Sequence, residues 1–273
     1  MLRATLVLLM LVGAPAVPPA EAQPLARARD AYNEERYDAA IEEARAALAT
    51  ASQADAARLI IARAHLERYR QSAEPADLSQ ARDALRAVDA SKLPERDHPE
   101  LLVGLGEWLF FAERFGASAE LFANALARAD SPGLSRASRA RMLDWWASAM
   151  DRQAQGASEG REGLYRAMLD RLEEELRRDP GSPAANYWEI VAARGLGNLD
   201  RAWQAAMAGW VRAGLAHDRG ASLRADIDRF VLTAIIPERA RQAAQGTQNE
   251  RQAAADGMVT EWERFKADWD GGG

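Results

Sequence analysis

Cysteine is missing from all 273 residues. That excludes disulfides, thiolate metal sites and a lipoprotein attachment cysteine. Lysine is nearly missing too: Lys92 and Lys266 are the only two, so the cations are almost all arginines. Histidine occurs as His65, His98 and His217, and no two of them stand at helical ligand spacing. The pairs Asp226/Asp228 and Asp268/Asp270 are two residues apart, so on a helix they point away from each other. No metal and no cofactor is expected. The net charge of −6 and a pI near 5.3 argue against nucleic acid or anionic lipid held by bulk electrostatics.

Long apolar runs are also scarce. The one that stands out, "ATLVLLMLVG", follows Arg3 and precedes a proline-rich stretch and "AEA" at Ala20–Ala22. Positive residue, short apolar core and small-x-small site in that order predict a secretory signal peptide over residues 1–22. The core is about half of the roughly 20 residues that span a bilayer. The expected product is periplasmic or secreted, with no membrane insertion after cleavage.

What remains is helix. From Gln23 onward apolar residues recur at i, i+3, i+4 and i+7, as in Leu164, Tyr165, Met168, Leu169, Leu172 and Leu176. Prolines 75, 94, 99, 132, 180 and 183 fall between such segments, where a residue without an N–H does least harm. The pattern predicts an all-α chain of helix pairs at 24–34 and 37–50, 54–70 and 77–90, 98–112 and 115–129, 138–154 and 160–178, and 183–195 and 199–215. Helix starts are expected at Asp77, at Asp97 with Glu100, at Ser182–Pro183 and at Asn198. Longer turns are expected around Gln71–Ala76 and Gln153–Ser158.

One stretch is written twice. With Glu35 set on Glu113, Arg36 falls on Arg114, Tyr37 on Phe115, Ala39 on Ala117 and Glu42 on Glu120 without a gap. Ala47, Leu48 and Ala49 then fall on Ala125, Leu126 and Ala127. Residues 99–132 carry Leu102, Leu105, Gly106, Leu109, Phe115, Ser118, Phe122 and Ala125 at a fixed spacing. Gly163, Tyr165, Leu172, Leu176 and Pro180, and then Gly197, Leu199 and Ala202, repeat parts of it.

On these positions the chain resembles the tetratricopeptide repeat family, over about two thirds of its length. The expected glycine–aspartate turn is Glu–Arg in the two closest copies, and Met168 and Glu175 stand where that family has small residues. The resemblance implies a right-handed superhelical solenoid of antiparallel helix pairs over residues 23–216, with extra C-terminal helices over 217–273. An irregular bundle whose alanines mimic the small positions is the competing reading. The last helix presents Met258, Trp262, Phe265 and Trp269 as one stripe, suited either to capping the array or to docking a partner.

One catalytic pattern occurs. "GASEG" at Gly156–Gly160 fits G-x-S-x-G, with Asp200 and His217 following. The motif needs a strand before it, and here it lies between helices, where Ser158 fits an N-cap. His65 is expected on a helix face, and Gly104–Leu105–Gly106 in close helix packing. Binding is then the expected work. The resemblance implies that first helices line a groove, which assigns Arg29, Tyr32, Glu107, Phe110, Phe111, Tyr187, Val191 and Arg194 to a surface for a protein or peptide partner. The alternative is a small-molecule-binding accessory of an envelope transport system, with Trp145, Trp188 and Trp203 around one cavity.

Overall fold

The computed structural model describes residues 23–128, 136–216, 218–244 and 246–270. The expected leader at Met1–Ala22, Pro132 and His217 lie outside them. All regular structure among the described residues is helical. The chain divides into two compact units between Leu93 and Pro94.

The first unit holds α1 (Gln23–Asn33), α2 (Tyr37–Ala47), α3 (Ala54–Ser72) and α4 (Pro75–Arg86), then a 3₁₀ turn at Ala90–Lys92. Each helix packs on the next, and α1 also meets α3. Its core is built largely from alanine: Ala28, Ala44, Ala47 and Ala57 around Ile61, and Ala31, Ala40 and Ala64 around Tyr37 and Ile41. Small side chains let helix axes approach closely at the cost of little buried apolar area per residue.

The second unit opens with α5 (His98–Phe111), α6 (Phe115–Arg128), α7 (Arg136–Gly156) and α8 (Arg161–Arg178). It continues with α9 (Pro183–Gly195), α10 (Leu199–Arg212), α11 (Ala221–Phe230), α12 (Ile236–Ala243) and α13 (Gln248–Asp270). The order of contact is regular. Within each pair the helices pack together, the second packs on the next first helix, and α5, α7, α9 and α11 meet in succession. One core runs through it, with Phe122, Leu143, Met168, Leu172, Ile190, Trp203, Ile227, Ile235 and Trp262 among its members. The boundary expected at 216/217 therefore does not separate two cores.

The duplicated stretch has a backbone cause. Glu35 and Glu113, aligned in the sequence, both adopt the left-handed conformation, at φ 60° and 57°. Arg36 N–H reaches Ala31 O and Glu35 N–H reaches Tyr32 O, and Arg114 to Leu109 and Glu113 to Phe110 repeat the pattern. Asn198 to Ala193 and Gly197 to Arg194 repeat it a third time, with Gly197 at φ 74°. These are Schellman motifs, the six-to-one and five-to-two bonds that close a helix. Two glutamates thus occupy a position that glycine fills without strain.

Starts and stops agree in part. Ser182 caps α9 through Ala185 N, and Asn198 caps α10 through Arg201 N. Asp97 makes no side-chain cap, because its backbone is already helical through the turn Glu95–Asp97. Asp77 is not a cap either, since α4 begins two residues earlier at Pro75 and Asp77 turns inward. The turn after α3 is short, because that helix runs to Ser72. Gly160, in the left-handed conformation, precedes α8 in place of Ser158. Glu173 pairs with Arg201 on α10, an inter-helix contact.

Two close approaches explain two glycines. A Cβ on Gly106 would lie 2.9 Å from the Phe122 ring, and a side chain on Gly195 would overlap Tyr165. Pro237 stands in the first turn of α12, which runs on to Ala243. Between α11 and α12 the backbone widens into a π turn at Val231–Ile235. Pro237 lacks an N–H and would clash with the carbonyl four residues back, and the wider turn accommodates it.

Candidate functional site

Tyr187, Val191 and Arg194 stand four and three residues apart on α9, so they share one stripe. That stripe faces a cavity of about 500 Å³. Asp151 and Gln155 of α7, Arg161 and Tyr165 of α8, Phe230 of α11 and Glu238 of α12 close it, with Trp188 and Gly195. The cavity belongs to the side on which α7, α9 and α11 meet.

Its walls are aromatic and its polar groups are tied. Tyr187 lies 5.7 Å from the Phe230 ring and 5.5 Å from Trp188. Arg194 lies 5.7 Å above Phe230 and is held by both oxygens of Glu238. Tyr165 Oη donates to Asp151 Oδ1 at 2.8 Å, and Gln155 Nε2 donates to Asp151 Oδ2 at 2.6 Å. At the edge, Trp188 Nε1 donates to Asp144 Oδ1 at 2.8 Å. Arg161 sits 5.6 Å over the Tyr165 ring.

The electrostatics follow from that crowding. Burial, then the bond to Asp151, pushes the Tyr165 phenol up to about 12. Burial first, then the Asp226 charge, raises Tyr187. Asp144 is exposed, yet desolvation by the surrounding protein raises its pKa, with the Trp188 bond opposing and the Asp226 charge adding to it. Both phenols stay protonated through the neutral range.

The other expected groove residues fare differently. Glu107 is only 2% exposed, because it falls on the stripe of Val103 and Gly104 that α5 turns inward. It is a core residue, not a surface contact. Phe110 and Phe111 are half-buried and clasp Trp145 edge-on at 5.0 and 5.7 Å. Arg29 and Tyr32 are half-buried in the first unit, where Tyr32 packs edge-on to Tyr37 and lies under Arg63. A second, polar concavity in that unit, between the start of α2 and the end of α3, is lined by neither.

The aromatic stripe of α13 is mostly inside. Trp262 is 0% exposed and meets Trp203 and Trp210 at 5.7 and 5.6 Å, while its Nε1 donates to Asp228. Phe265 stacks on Trp262 and Met258 is partly buried against the same core. Only Trp269, at 48%, stands out into solvent. Trp262 is thus inside the second unit's core and not open to a partner: α13 begins at Gln248, early enough to lie along α12, with which it packs.

Trp145, Trp188 and Trp203 do not surround one cavity. Trp188 lines the one described, Trp145 stacks on Phe122, and Trp203 is buried against Trp262. Ser158 lies in an exposed turn, and Asp200 is bound to Arg239. Among the described residues no group of three or more acidic or histidine side chains is placed to hold a metal. No described helix is long and apolar enough to cross a membrane.

Sequence reasoning missed Asp151, Arg161, Phe230 and Glu238, and read Tyr165 as packing alone. One signal for the acidic residues was available: Asp144 and Asp151 are seven apart on one helix, hence on one face. Phe230 and Glu238 gave none, because the π turn between them breaks the period. In comparison with known proteins, no family model, no curated protein and no solved structure matches the chain.

Proposed function

We propose that this chain is an exported, non-catalytic scaffold of tetratricopeptide-like helix pairs, wound in the right-handed sense of that family. It holds a protein or peptide partner on the first-helix side of its second unit. The carrying observation is the cavity that Tyr187, Val191 and Arg194 line together from one stripe of α9. Three Schellman turns at equivalent places and the succession of first-helix contacts support the repeat reading. Aromatic rings beside arginine are the common anchors of protein interfaces. A small-molecule accessory is less well supported, since the three tryptophans it needs are dispersed.

The test is capture from the native envelope fraction. The intact chain is expected to retain a saturable partner that Tyr187→Ala loses, with its helical circular dichroism unchanged. Equal capture by the variant would remove the groove from the reading. An exported protein that still begins at Met1 would remove the cleaved leader.

A further inference from the structure

The polar groups around the cavity are not equally neutralised. Arg194 is matched by Glu238, and Arg229 by Asp226. Asp144 and Asp151 accept only from neutral donors: the Trp188 indole, the Tyr165 phenol and the Gln155 amide. Among the described residues neither is ion-paired. Both lie on α7 and are seven residues apart, about 10 Å at 1.5 Å per residue. The phenol of Tyr187 stands in the combined field of Asp226, Asp144 and Asp151, opposed by Arg229.

Cations are attracted to both parts of this surface. An aromatic face carries a negative quadrupole, and Phe230 and Tyr165 already each hold an arginine over the ring. Two carboxylates with no ion pair among the described residues, Asp151 in the lining and Asp144 at its edge on Trp188, extend that preference, with Arg194 the nearby charge that acts on Asp151. The remaining arginine of the lining, Arg161, is exposed and lies over Tyr165, whose hydroxyl binds Asp151.

We infer that the occupant of this groove is an extended peptide segment that presents basic side chains, one to Asp144 beside Trp188 and one to Asp151. This rests on the reading of the α7–α9–α11 side as a partner-binding groove and names the chemistry of that partner. The spacing suits it: extended chain advances about 3.3 Å per residue, so basic residues three apart span the two carboxylates. Burying each aspartate against a guanidinium or ammonium supplies an ion pair that neither makes with a described residue.

The experiment pans a random peptide library, displayed on phage, against the intact mature protein. Enriched clones are expected to carry an excess of arginine and lysine, often three positions apart. Synthetic copies should bind about tenfold more weakly to Asp144→Asn and to Asp151→Asn, and more weakly in high salt. Asparagine keeps the acceptor for Trp188 and for Tyr165, and circular dichroism checks that each variant is folded. Enrichment of peptides with no basic bias, or with an acidic one, would overturn the inference while leaving the groove in place. Enrichment of nothing that Tyr187→Ala abolishes would overturn the groove with it. Should either variant unfold, the charge composition of the clones selected on the unaltered protein still decides.

Discussion

At the scale of single residues, the least expected finding is a buried histidine. His65 lies on α3, as expected of a helix-face residue, and that face is internal: it is 2% exposed and its Nδ1 lies 2.7 Å from Asp77 Oδ1. Asp77 also meets Arg68, and Arg45 adds to the field around the ring. Nε2 is buried with no hydrogen-bond partner, so a second ring proton has nowhere favourable to go. Burial lowers the His65 pKa, and the Asp77 bond only partly opposes it. The folded state therefore prefers the neutral ring. Stability is fully present above the unfolded value of about 6.5 and falls as acid protonates the unfolded chain, down to the folded pKa. The first unit should melt at lower temperature at pH 5.5 than at pH 7.5, and His65→Gln should flatten that dependence; an unchanged slope would remove His65 as its cause. The left-handed turns give a second test. Glu35→Gly and Glu113→Gly are each expected to stabilise by up to about 1 kcal/mol, because glycine pays no Cβ penalty there. Gly197→Ala should do the opposite, costing about 1–2 kcal/mol although nothing lies near its added methyl. Denaturant midpoints of the three variants check the signs together.

At the scale of elements, the sequence shows where helices are and hides what some of them cover. The boundaries of α1 to α10 were legible because prolines, caps and 3.6-residue periodicity agree locally. The face of each helix was legible only where the apolar stripe was strong. Glu107 puts a carboxyl side chain on an inward stripe, and no local pattern announces that. The same holds for Glu175, which is buried against Arg139, whose Nη2 and Nε donate to it at 2.5 and 3.0 Å. A pair of residues far apart in sequence settles such cases, and a single sequence does not display the pairing. In α13 the polar run 248–257 masked ten residues of helix that precede the aromatic stripe. Its role follows from Trp262, which fills the space between Trp203 and Trp210, and from Lys266, which lies 5.5 Å over Trp210 and 2.6 Å from Asp228. Trp262→Ala empties that space and strands the Asp228 carboxylate's indole bond. A loss of about 3–5 kcal/mol is expected. Trp269→Ala, exposed on the same helix, should cost little. Equal effects of the two substitutions on the melting midpoint would end the capping assignment.

At the scale of the whole molecule, the two units differ in what holds them. The first packs alanines around a few larger residues, whereas the second buries tryptophan, phenylalanine, leucine and isoleucine in one continuous core. Each buried methylene contributes about 0.8 kcal/mol, so an alanine core returns far less per ordered residue. The first unit, Gln23–Leu93, is also near the size at which a domain buries only about 60% of its surface. It should therefore unfold first. The sequence supplies a probe for this. All eight tryptophans lie beyond Pro94, from Trp108 to Trp269, so tryptophan fluorescence reports the second unit alone, while far-ultraviolet circular dichroism reports both. In a urea titration the dichroism should begin to fall before the fluorescence moves, and the two curves should then finish together. A fragment of residues 94–270 should give a single transition that coincides with the fluorescence curve of the intact chain. Coincident dichroism and fluorescence in the intact chain would mean one cooperative fold, and the alanine core would then draw its stability from a source other than its own packing.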